Sequence, residues 1–85
     1  MFRVSVSGTR YSIEVDQRKD DCCRERPHCH ILEHGRRIGQ FFFHSGELKI
    51  SHGYEIIDKH WDAIYNCISQ YESEMIDEYY KNANG

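Results

Sequence analysis

Long apolar runs are missing from this chain. No stretch approaches the roughly 20 consecutive apolar residues of a membrane helix, and the mean hydropathy is −0.78. The first residues hold no apolar core of a secretory signal either. Together these absences lead to the expectation of a cytoplasmic protein that does not engage a membrane. Paired C-x-x-C spacing is also lacking: the four cysteines stand at 22, 23, 29 and 67. That spacing argues against a structural zinc motif. Adjacent Cys22 and Cys23 are poorly placed to bridge each other, so the cysteines are expected as reduced thiols. Positive charge is in short supply, with a net charge of −3, whereas a general nucleic-acid binder would be basic overall. No segment repeats, and none is of low complexity.

What is present is enough for one small domain. The 85 residues are 39% hydrophobic and 13% aromatic, a folded composition rather than a disordered one. A chain of this length buries only about 60% of its unfolded surface and is marginal without further support. Its charge is unevenly spread. Residues 1–52 hold nine Lys/Arg against seven Asp/Glu, and residues 53–85 hold two against seven. The basic half concentrates Arg18, Lys19, Arg24, Arg26, Arg36 and Arg37 in one span.

Periodicity divides residues 1–85, read as one domain, into two parts. Alternation of apolar and polar residues predicts strands over about 2–6, 10–15, 28–33, 38–43 and 48–50. Short connections carrying Gly8, Gly35 and Gly46 join them as antiparallel neighbours. Residues 16–26 read as a polar loop, the best place for function. From Ile57 the period changes to three and four residues: Trp61, Ile64, Tyr65, Ile68, Tyr71, Met75, Ile76 and Tyr79 mark a helix over about 57–80. Asp58 is its expected N-cap, acidic residues near its C-terminus favour fraying, and 82–85 reads as a tail. The expected fold is α+β with two layers, an antiparallel β-meander of about five strands packed on one long C-terminal helix.

Phe41-Phe42-Phe43 cannot all face one layer. With Ser45-Gly46 as a two-residue loop, Phe43 would pair with Leu48 and Phe41 with Ile50, on the helix side. Phe42 would then point outward, either into an exposed apolar patch that marks an interface or under the 16–26 loop.

The stretch with the most chemistry is Arg26-Pro27-His28-Cys29-His30. Pro27, the chain's one proline, suits the first position of a strand. Strand alternation then places His28 and His30 on one face, roughly 6–7 Å apart. This order of strand, polar loop, Pro-His-x-His, glycine turn, strands and long helix resembles the domain-of-unknown-function 4160 family of small bacterial proteins over roughly residues 10–80. Arg26 stands where that family has a first proline, and the strand at 2–6 is an addition. The resemblance implies Pro27, His28 and His30 as site residues and an association with toxin–antitoxin-like gene pairs, without an established activity.

Four readings of the histidines follow. They are satisfied polar strand residues, or an acid–base pair of a metal-independent ribonuclease-like toxin with Arg26 or Arg37 holding phosphate. They are metal ligands completed by Cys22, Cys23 or His44, although no carboxylate or histidine is spaced to complete that set. Or they belong to a binding module, phage-type inhibitors included, whose sheet face and basic loop contact another protein. The last is favoured, with Arg26, His28, His30, Arg36, Arg37 and Phe42 as binding residues. No cofactor or metal is expected. The expected partner is a toxin, antitoxin or defence component, or a second copy of the chain as a homodimer. Nucleic acid is not favoured, and neither is enzymatic activity.

Overall fold

The structure is a computed structural model that describes residues 2–15, 27–56 and 58–84. These form β1 (Phe2–Ser5), β2 (Tyr11–Val15), β3 (His28–Glu33), β4 (Arg36–Phe42), β5 (Leu48–Ile50) and α1 (Asp58–Asn84). The strands make one antiparallel sheet in the order β1-β2-β3-β4-β5. The helix covers one face of that sheet, so the fold is the expected two-layer α+β meander. Ile57 and residues 16–26, expected as helix start and polar loop, lie outside the described residues, as does the capping side chain of Asp58.

Turn chemistry fixes the hairpins whose turns are among the described residues. Between β1 and β2 the Val6 N–H donates to Tyr11 O at 3.0 Å and the Thr9 N–H to Val6 O at 3.1 Å. The Thr9 hydroxyl adds a bond to the same carbonyl at 2.8 Å. Between β3 and β4 the pair Glu33↔Arg36 encloses only His34 and Gly35, whose φ values are 52° and 80°. Two left-handed residues in a two-residue loop match the right-handed twist of the flanking strands.

Two registers depart from expectation. Phe41 pairs with Leu48 and Gly39 with Ile50, not Phe43 with Leu48 and Phe41 with Ile50. The reason is a longer loop: Phe42 N–H donates to Glu47 O, and Gly46 N–H to Phe42 O, each at 2.9 Å. Four residues therefore separate Phe42 from Glu47, and β4 ends at Phe42. The second departure is a bulge. Ile31 opposes Gly39, but Leu32 opposes Arg37, so Ile38 is an extra residue in β4. An extra residue reverses which side chains face which layer beyond it. Ile38 thereby joins the helix-side core at 0% exposure, and Arg37 moves to the opposite face.

The core lies between the sheet and α1. Ile13, Val15, Cys29, Ile31, Ile38 and Phe41 from the strands meet Ile64, Ile68, Met75 and Tyr79 from the helix. The helical set recurs at steps of four, seven and four, a single stripe. Burying each such side chain contributes about 1.5–3 kcal/mol. Trp61, expected in this core, is only half-buried at its rim, and Tyr65 is 42% exposed. The two rings lie 5.3 Å apart at a tilt of 31°, and Tyr65 also meets the edge of Phe41 at 5.9 Å. The helix also continues to Asn84, past its expected end near 80. Lys81 in the last turn complements the macrodipole there, and no proline or interior glycine stops it.

Candidate binding face

Alternation puts a second set of side chains on the face away from α1. Register aligns Arg3 with Glu14, Glu14 with His30, His30 with Gln40, and Gln40 with Lys49. One residue from each strand thus forms a polar rank across the whole sheet. Directly opposed residues sit about 4.5–5.5 Å apart, so neighbours in the rank touch.

Glu14 is the fixed point of the rank. It is 4% exposed, and a buried carboxylate needs partners. Arg3 reaches it from β1 with both Nε and Nη2 donating to Oε2, the former at 3.0 Å. Arg37 reaches it from β4, its Nη2 donating to Oε1 at 3.1 Å. Burial alone would push the Glu14 carboxyl up. The hydrogen bonds from Arg3 and Arg37 outweigh that and hold it below its ordinary value. Among the described residues the cluster brings two guanidinium groups to one carboxylate.

His28 and His30 do share one face, with ring centroids 5.1 Å apart and edge-to-face. Neither is an exposed ligand, at 4% and 6% exposure. His28 is hemmed by the rings of Phe42 at 5.4 Å and Tyr79 at 5.7 Å. Phe42 points away from the helix-side core as expected, but it is 3% exposed and offers no apolar patch. The Lys49 ammonium lies 5.3 Å from its ring centre.

The other predicted residues divide. Arg37 joins the face. Arg36 does not: it is exposed near the turn, and its Nη1 donates to the Tyr54 hydroxyl at 3.1 Å. Arg26, Cys22 and Cys23 lie outside the described residues. His44 bonds the Tyr80 hydroxyl at 3.4 Å. Among the described residues no three His, Cys, Asp or Glu side chains gather where they could hold a metal ion. Desolvation pushes the buried Cys29 thiol up to about 12, so Cys29 is a packing residue and no nucleophile.

Beside this rank lies a groove of about 340 Å³ whose described lining includes His30, Arg37, Gln40, Lys49, Ile50 and Ser51. Arg3, Glu14, Gln40 and Lys49 were not singled out from sequence. Arg3 and Glu14 had a usable signal, opposite charges at facing positions of one hairpin. Gln40 and Lys49 had none, because their alignment depends on the long loop after β4. Compared with protein-family models, curated proteins and solved structures, the chain matches none.

Proposed function

We propose that this chain is a small cytoplasmic binding module that engages another protein through the sheet face opposite its helix. The reading extends to company with toxin–antitoxin-like or defence-related small proteins; the only support for that company is the short Pro27-His28-Cys29-His30 motif, since no family model matches the chain. The observation that supports the binding module is the polar rank Arg3–Glu14–His30–Gln40–Lys49 running across all five strands. Glu14 is already buried within the single chain, and the exposed part of the rank that a partner would meet is Arg3 and Lys49. The bridged carboxylate fixes the positions of Arg3 and Arg37, and fixed cations give register and specificity to an interface. The acidic half of the chain falls mainly on α1, on the other side, so the sheet face suits a partner with an acidic surface.

Lys49→Glu tests this reading, because Lys49 is exposed and lies outside the core. Far-UV circular dichroism should be unchanged, while a partner captured from cell lysate by the wild type should be lost. Equal recovery of the same proteins by both baits refutes the reading.

The runner-up is the metal-independent ribonuclease, and the approach of the His28 and His30 rings favours it. Against it, both rings are buried, and an acid–base pair must touch the phosphate it works on. Incubation with RNA, with and without chelator, separates the two. Cleavage that is lost in His30→Ala would replace the binding reading, and no cleavage removes the enzyme.

A further inference from the structure

We propose that the outer edge of β1 is a self-association site, where two copies of the chain pair their β1 strands antiparallel about a two-fold axis through Val4. This contact is separate from the binding face described above and does not depend on it.

Backbone geometry sets which groups are on offer. Among the described residues β1 is the last strand of the sheet, with β2 on one side and no strand on the other. The Val6 N–H donates to Tyr11 O, so Val6 forms a hydrogen-bonded pair with the neighbouring hairpin arm. Bonded and non-bonded pairs alternate along an antiparallel ladder. The N–H and C=O groups of Val4 and Phe2 therefore turn toward β2, and those of Arg3 and Ser5 turn outward. Natural sheet edges are guarded by proline, a bulge or a free charge. β1 has neither proline nor bulge, and its one charge, Arg3, is drawn back across the face to Glu14.

Self-complementarity, the requirement of a two-fold interface, commits this edge to a second copy. With Val4 opposite Val4, Arg3 faces Ser5 of the second copy. Both residues present outward backbone groups, so each of the two equivalent pairs exchanges N–H···O bonds in both directions. Sliding the register one way would set Arg3 against Arg3, and like charges directly opposed are destabilising. Sliding it the other way would leave Phe2 beyond the strand, opposite Gly8 in the turn.

The helix side of the same register is apolar. Phe2 of one copy lies across from Val6 of the other, beside a groove of about 260 Å³ between β1 and α1. Its described lining includes Val6, Ala63, Asn66, Cys67 and Gln70 and no charged residue. Along this rim Phe2, Val4, Ala63, Cys67 and Tyr71 are only partly buried, whereas Ile13 and Val15 on the next strand are 0% and 1% exposed. A second β1 would cover that rim and remove its apolar surface from water.

Sedimentation equilibrium of the full chain over a range of concentrations tests this. The expected wild-type result is a reversible monomer–dimer equilibrium with a dissociation constant in the micromolar range. Two substitutions at exposed Ser5 read the register. Ser5→Arg opposes like charges at both Arg3 positions and should weaken the dimer about tenfold, the effect of two cross-strand charge pairs. Ser5→Glu opposes unlike charges there and should tighten it by a similar factor, with far-UV circular dichroism confirming the fold of both variants. Amide exchange at Arg3 and Ser5 should slow as concentration rises, while Val4 is slow at every concentration. A wild type that stays monomeric into the millimolar range overturns the proposal. So does a dimer that responds equally to Ser5→Arg and Ser5→Glu, or one in which the Arg3 and Ser5 amides exchange at the same rate at every concentration.

Discussion

Replacing Glu14 by glutamine keeps the shape of the side chain and removes the charge on which Arg3 and Arg37 converge. In the native protein each carboxylate oxygen accepts from a different arginine. Glutamine has one carbonyl oxygen and one amide, so one guanidinium would face N–H groups instead of an acceptor. A hydrogen bond to a charged group contributes about 1.5–3 kcal/mol. The two arginine side chains are 53% and 34% exposed, so water and salt screen part of this. The expected loss is therefore about 1–3 kcal/mol. For a chain of this size, each kcal/mol moves the melting temperature by about 4–8 °C.

A second signature separates charge from packing. The Glu14 carboxyl is held below its ordinary value in the folded state, so its contribution is fully present above the unfolded carboxylate range, near pH 4.3. It disappears as pH falls through the lower, folded value. Thermal or urea melts from pH 7 down to pH 3 should thus converge: wild type and Glu14→Gln differ most at neutral pH and least in acid. A variant that melts with the wild type at pH 7 would refute the role given to this carboxylate. So would a difference that stays constant into acid.

Two further outcomes follow from packing. A Cβ at Gly39 would lie 2.7 Å from the Lys49 carbonyl oxygen and 2.9 Å from Ile50 Cδ1, and the first is backbone that cannot swing aside. Gly39→Ala should push β5 away and cost about 1–3 kcal/mol, seen as a lower urea midpoint and faster amide exchange in Leu48–Ile50. Ile64→Ala should cost about 2–5 kcal/mol, because Ile64 is 0% exposed. Trp61→Ala should cost less than Ile64→Ala, since Trp61 sits at the rim, and the reverse order in paired thermal melts would contradict that placement.

The layers were legible in the sequence because two periods, two residues and then three to four, report which side chains meet a common core. Ile13, Ile31, Ile64, Ile68 and Met75 declare themselves that way. Trp61 and Tyr65 do not: Trp61 lies one turn before the first buried residue among the described ones of the helix, Ile64, and Tyr65 lies beside the stripe rather than on it, its ring 5.9 Å from Phe41. The stripe itself stays buried from Ile64 to Tyr79. The Phe42–Glu47 loop departs from the expected turn by its length. Ser45-Gly46 looks like a complete two-residue turn, yet Gly46 at φ 71° closes a four-residue one. Phe43 stays in the core while its backbone bonds to Pro27 O at 3.1 Å rather than to β5.

The candidate face turns on the one feature that no pattern in the residues announces, the bulge at Ile38. Without it, strict alternation from Phe41 and Gly39 would send Ile38 to the face with Glu14 and turn Arg37 toward the helix. Ile38 would then lose its place in the core, and a buried guanidinium would sit among isoleucines at a cost of several kcal/mol. One extra residue resolves both conflicts. It lets Ile38 pack at 0% exposure and brings the Arg37 guanidinium to Glu14. The same insertion lies beside Gly39, where the missing side chain lets β5 close against β4 and carry Lys49 into line with Gln40. The stability of the helix side and the charge of the opposite side are therefore set by the same two residues of one strand.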